Sequence, residues 1–191
     1  MQKMKDEILF QLAESVAVKQ KLAAKTAEIE DAVSIIINAF KSGHKILLCG
    51  NGGSAADCQH MAAEFVGKFK KERKALPAMA LSTDTSVITA LTNDCGGDVI
   101  FSRQVEAHGR KGDVLIAIST SGSSPNILNA IKTAKALGMK ILGLTGEKGE
   151  KMNKLCDICI TVPSSNTPRI QEAHITVEHI ICGLVEKEMF Q

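Results

Sequence analysis

Two strand-to-helix joints constrain this chain more than any other feature. At one of them, apolar residues 114–118 read as a buried parallel strand that runs into Ser119, Thr120, Ser121, Gly122, Ser123 and Ser124. Pro125 follows. Proline suits a first helical turn and Ser124 suits the N-cap, so the spacing predicts a helix over 125–137. The free N–H groups of that helix start, its dipole and several small hydroxyls then point the same way, which is a socket for phosphate. The plainer alternative is a tight turn, but such turns need only about two to six residues and rarely so many hydroxyls.

The second joint repeats the pattern. A strand over 45–49 leads to the turn Gly50-Asn51-Gly52-Gly53, with Ser54 as N-cap and a helix running to about residue 69. Two such loops in one parallel sheet belong at the carboxyl ends of its strands, where open α/β folds bind ligands. Neither is a dinucleotide fingerprint or a P-loop, because the third glycine is out of place and no Gly-Lys-Ser/Thr follows. A phosphorylated small molecule is the ligand this pattern predicts.

Composition narrows the choice further. The chain has 191 residues, 45% of them hydrophobic, enough to bury a real core as one domain over 1–191. A formal charge of +2 leaves no electrostatic footprint for nucleic acid or an anionic membrane. With 3% aromatics and neither Trp nor Tyr, rings are not held by stacking, so specificity must come from hydrogen bonds. The first residues lack an apolar signal core and no stretch approaches the roughly 20 apolar residues that span a bilayer, which predicts a cytoplasmic protein. The six cysteines are scattered rather than set out as a disulfide framework, and Cys156 with Cys159 lacks the second pair a zinc site needs.

Along the chain, residues 2–24 and 26–42 read as two helices ahead of the first strand. Their leftover apolar faces either cap their own sheet or pack on another subunit. The cationic run Lys68 to Lys74 is either a solvated helix end or a cation reaching an anionic substrate. A short strand over 76–81, broken by Pro77, belongs near the sheet edge. A helix over 85–91 precedes a polar turn over 92–98, where Asn93 and Asp94 either build the turn or hold sugar hydroxyls. A helix over 100–108 follows. After the serine loop come a strand over 140–144, a short helix over 150–155, a strand over 157–162 and a last helix over 169–189. This alternation predicts an α/β fold: a three-layer αβα sandwich on a roughly five-stranded parallel sheet, flavodoxin-like, with two extra N-terminal helices.

Beside the phosphate loops stand residues that phosphate binding does not need. His60 and Glu64 are four apart and share a helix face. An imidazole and a carboxylate one turn apart either bind a divalent metal or act as an acid and base pair. His44, His108 and His174 read as surface or satisfied histidines.

Taken together, G-N-G-G-S, Q-H-M-A-A-E-F, S-T-S-G-S-S and P-R-I-Q-E-A-H resemble the phosphoheptose isomerases of the sugar isomerase (SIS) family, over essentially the whole chain. The resemblance implies an aldose-ketose isomerase that converts sedoheptulose 7-phosphate to a manno-heptose 7-phosphate for surface polysaccharide such as lipopolysaccharide or capsule. It implies substrate contacts at Asn51, Gly52, Gly53, Ser54, Asn93, Asp94, Ser119, Thr120, Ser121 and Ser124. It also implies one zinc per subunit held by His60, Glu64, Gln171 and His179, and a homotetramer. Glu64 and Gln171 touch substrate as well in this reading. Lys68 stands where relatives often carry Arg, and a lysine does not reproduce the guanidinium's two-pronged geometry.

A ketose-to-aldose isomerisation moves a proton between neighbouring carbons through an enediol, which needs a base, an acid and stabilisation of developing charge. Glu64 is the expected base and His179 its partner. Zinc complicates this, since a metal-held Glu64 is a poorer base and a metal-bound His179 must be neutral. Spacing adds a second constraint. On one regular helix Gln171 and His179 lie about 12 Å apart along the axis and about 80° around it, so one ion is hardly bound by both. Either Gln171 precedes the helix, or the ligands converge from different chains; the second is the expectation, with the sites of the homotetramer at its subunit interfaces. The rival to an enzyme is a non-catalytic protein on the same scaffold, one that binds a replication initiator or senses a phosphosugar. The presence of Glu64 and His179 argues against it.

Overall fold

Successive side chains of the central strands are buried on opposite faces, which sorts the molecule into layers. Ile46, Leu48, Val114, Ile116, Ile118, Leu142 and Leu144 face one core, while Leu47, Cys49, Leu115, Ala117 and Ile141 face another, as the two-residue period of a strand requires. Both faces are therefore covered, and each fully buried aliphatic side chain contributes about 1.5–3 kcal/mol of hydrophobic stabilisation. The computed structural model describes residues 2–190, so both ends of the expected 1–191 unit lie outside the described residues.

The elements run α1 (Gln2–Lys21), a 3-10 turn (Leu22–Lys25), α2 (Thr26–Lys41), β1 (Ile46–Gly50), α3 (Gly53–Val66), β2 (Ala78–Ala80), α4 (Thr85–Cys95) and a 3-10 turn (Gly97–Val99). They continue with α5 (Ile100–His108), β3 (Val114–Ser119), α6 (Pro125–Ala136), β4 (Lys140–Gly146), α7 (Glu150–Asn153), β5 (Ile158–Val162) and α8 (Thr167–Met189). The five strands are parallel in the order β2-β1-β3-β4-β5, with β2 at an edge as Pro77 predicts. Helices α2, α3 and α8 pack on one face and α5 and α6 on the other. Chain order reverses between β1 and β3, so the loops after these two strands flank the crevice where doubly wound sheets bind ligands.

Several local expectations change. Ser54 is not the N-cap of α3: Gly52, at φ +56°, takes that place and Ser54 is buried inside the first turn. The glycine turn winds so tightly that a side chain at Gly50 would strike the backbone of Ser54. Helix α3 stops at Val66, because Gly67 caps it with an N–H bond to the Ala63 carbonyl at 2.8 Å, and the cationic run is a loop rather than a helix end. Helix α4 continues through Asn93 and Asp94, which are helical and not part of a turn. The turn comes later, at Gly96 with φ +85°. His174 is neither at the surface nor satisfied, being fully buried with no partner for either ring nitrogen among the described residues.

Candidate active site

The β1–α3 and β3–α6 loops are tied together across the switch point. The side-chain amides of Asn51 and Asn126 exchange two hydrogen bonds, each 2.9 Å. Within the serine loop the Ser119 and Ser124 hydroxyls lie 3.3 Å apart, and Ser119 Oγ accepts from the Gly122 N–H at 3.2 Å. Ser121 Oγ accepts from the Ser123 hydroxyl at 3.1 Å. Ser124 occupies the N-cap position with extended backbone, although its side chain makes no capping bond, and Pro125 opens the helix. The loop is thus held in one shape by its own hydroxyls; in the first turn of α6 Pro125 carries no N–H, and the Ile127 N–H donates to the Ser124 carbonyl at 3.1 Å and to Asn126 Oδ1 at 2.9 Å.

A cavity of about 370 Å³ opens beside this loop, walled by Thr120, Ser121 and Ser123, by Lys148 and Lys151 after β4, and by Ser164, Ser165 and Thr167 after β5. The last two walls and Asn126 escaped the sequence reading. Residues 163–168, Pro-Ser-Ser-Asn-Thr-Pro, carry the same signal as the serine loop, hydroxyls and a proline at a strand-to-helix joint, and would have disclosed one of them.

The second group of residues sits where α3 and α8 lie side by side. His60 Nε2 is 3.3 Å from Glu64 Oε1 and 2.9 Å from His179 Nε2. The Phe69 ring lies 5.8 Å from the His179 ring, centre to centre. Glu186 places it there: its buried carboxylate accepts from the backbone N–H groups of Phe69, Lys70 and Lys71 at 2.8–2.9 Å and pairs with Arg73 at 3.0 Å. Burial opposes that charge, but these bonds outweigh it and hold the carboxyl below its usual range. Arg73 also donates to the Glu64 and Phe65 carbonyls, at 2.7 Å each, so one buried ion pair fixes the end of α3 beneath Glu64.

His60, Glu64 and His179 converge within one chain, which removes the reason to spread these three over different subunits. Both Gln171 and His179 are inside α8, so the idea that Gln171 precedes the helix does not hold. The amide of Gln171 instead lies against Gly53, so closely that a side chain at Gly53 would collide with it, at the start of α3 and two turns from His60. Asn93 Nδ2 donates to Asp94 Oδ1 at 2.7 Å, and both side chains are exposed on α4, outside the cavity wall and the imidazole cluster. Lys68 pairs with Glu72.

Beneath the cluster, α3 and α8 carry ionisable groups out of water: Asp57 and Glu178 face one another across their seam, and His174 is buried on α8 toward Thr145 of β4. Burial, aided by Asp57, pushes the Glu178 carboxyl up to about 8, burial pushes Asp57 up to about 6, and burial pulls the His174 imidazole down to about 4.

The donor set fits a metal ion. One nitrogen from each histidine and one Glu64 oxygen lie within 4.8 Å of one another, and two histidines with a glutamate is a donor set of catalytic zinc sites that keep a position open.

The SIS domain family matches residues 12–146. A phosphoheptose isomerase from Aliarcobacter butzleri is 54% identical over 93% of this chain and 94% of its own length. Among solved structures, a phosphoheptose isomerase from Neisseria gonorrhoeae superposes with a TM-score of 0.92 at 41% identity, covering 96% of this chain and 99% of that one. One from Francisella tularensis gives 0.93 at 36% identity, covering 96% and 98%. With the sheet order, the glycine and serine loops and the His-Glu-His cluster already in place, the chain belongs to the phosphoheptose isomerase family of SIS-domain proteins.

Proposed function

We propose that the protein isomerises sedoheptulose 7-phosphate to D-glycero-D-manno-heptose 7-phosphate, the aldose that supplies heptose for surface polysaccharide. The observation that carries this reading is the cluster of His60, Glu64 and His179 on the helix that starts at one phosphate loop and on its neighbour α8. Phosphate held by the serine loop and the Gly52-Gly53 helix start fixes the far end of the sugar and turns remote binding energy into alignment at carbons 1 and 2. Glu64 takes the proton from one carbon and returns it to the next, while His179 serves the oxygens. Asn51, Ser54, Asn93, Asp94 and Gln171 complete the substrate contacts in this reading. A non-catalytic phosphosugar sensor has no use for the carboxylate and paired imidazoles.

Zinc, held by His60, Glu64 and His179, would supply electrophilic polarisation of the carbonyl. Gln171 is assigned here to the sugar rather than to the first set of ligands, because its amide lies at Gly53. The whole chain acts as one SIS unit in a cytoplasmic homotetramer. Support comes from α1, which exposes Met4, Ile8, Leu9, Phe10, Leu12 and Val16, and from Ile180 and Leu184, which join His179 and Phe69 in lining an open cleft of about 550 Å³. A neighbouring subunit seated in that cleft would lie next to the cluster. Incubation of the purified protein with sedoheptulose 7-phosphate, followed by NMR, tests the reaction directly: the aldose 7-phosphate is expected, and its absence from both metal-replete and chelated samples overturns the assignment. Light scattering tests the tetramer.

A further inference from the structure

The turn between β4 and α7 carries Glu147, Lys148, Glu150 and Lys151 around Gly149. It is stitched to both neighbouring loops: the Gly146 N–H donates to the Thr120 carbonyl at 3.1 Å and the Glu147 N–H to the Ser164 carbonyl at 3.2 Å. Gly149 presses on Gly122, whose φ is +60°, and a side chain at Gly122 would run into the Gly149 backbone. The turn is therefore part of the phosphate end of the site, fixed in place by backbone contacts. Lys148 and Lys151 share the 370 Å³ cavity with Thr120, Ser121 and Ser123. The carboxylate on that wall, Glu150, is tied to Lys154 at 2.6 Å, and neither cavity lysine has a carboxylate partner among the described residues.

Hydroxyls and backbone amides orient a phosphate but bring no formal charge to it. We infer that Lys148 and Lys151 supply that charge, as specificity residues that select a phosphorylated sugar by its anionic end. This rests on the isomerase reading above. Two point charges on flexible stems suit the task, since the serine loop already fixes the geometry.

The test is the double variant Lys148→Gln/Lys151→Gln, with Lys148→Arg/Lys151→Arg as the conservative control. At low salt the Gln variant should raise KM for sedoheptulose 7-phosphate about 5- to 20-fold with kcat within about twofold, as expected for two partly exposed charge contacts. The difference should shrink near about 0.5 M salt, where such contacts are screened. The Arg variant should keep the wild-type KM. Calorimetry with inorganic phosphate should show the same weakening in the Gln variant. An unchanged KM and phosphate affinity, or a loss confined to kcat, overturns the inference. If the wild type leaves the heptulose untouched, the isomerase reading fails instead, and the phosphate titration still decides the role of the lysines.

Discussion

The two ends of the site are built by different means. The loop end, the phosphate seat of the proposal above, is made of segments that touch: through backbone at Gly122 and Gly149 and at Gly146 and Thr120, and through side-chain amides at Asn51 and Asn126. The imidazole end is made of side chains from two helices, His60 and Glu64 on α3 and His179 on α8, kept in place by Glu186 and Arg73. One end is shaped by local chain geometry and the other by long-range packing. Binding and chemistry should therefore fail separately under mutation.

The sharpest separation is Glu64→Gln. Loss of the proposed base should lower kcat by about 10²–10⁴-fold, while calorimetry finds inorganic phosphate bound as before. Glu186→Ala attacks the imidazole end from behind by leaving Arg73 buried without its carboxylate partner, and denaturant titration should show a loss of about 3–5 kcal/mol.

His174, fully buried on α8 toward Thr145 of β4, tests the burial of that helix. Its imidazole protonates near 4 in the fold against an ordinary 6.5. Below pH 6.5 the unfolded chain takes up a proton that the folded chain refuses, so stability falls as pH drops from 6.5 toward 4, by up to about 3 kcal/mol. His174→Leu should flatten this slope in thermal melts across that range. Gly122→Ala does the reverse of Glu64→Gln: a left-handed position and a collision with Gly149 should cost about 1–2 kcal/mol or more and raise KM before kcat. The smallest effect belongs to Asn93→Ala, on the exposed face of α4. Stability should change by no more than about 0.5 kcal/mol, and a raised KM at unchanged melting temperature would place Asn93 against the sugar.

The strand, loop and helix around the serine segment were legible in the sequence because strand, hydroxyls, proline and glycine follow one another in the chain. The order of the layers was legible for the same reason, since apolar runs alternate with amphipathic ones. What escaped was set by contacts between distant residues. The length of α4 through Asn93 and Asp94 overrode their turn preference, and nothing local announced that Glu186 would hold residues 69–71. The Gln171 spacing argument set that residue apart from His179, as α8 bears out, although Gln171 lies inside the helix rather than before it. One chain satisfies the geometry by giving the two residues different neighbours, Gly53 and His60. Mixed assemblies of Glu64→Gln and His179→Gln chains should accordingly regain no activity, because each intact cluster needs both residues from a single chain.

The Asn51–Asn126 amide pair has a consequence for how the site opens. Because each side chain both gives and receives a bond, neither the glycine turn nor the serine loop swings outward alone without breaking two hydrogen bonds at once. The two loops are thereby coupled, and a displacement of one draws the other along with it.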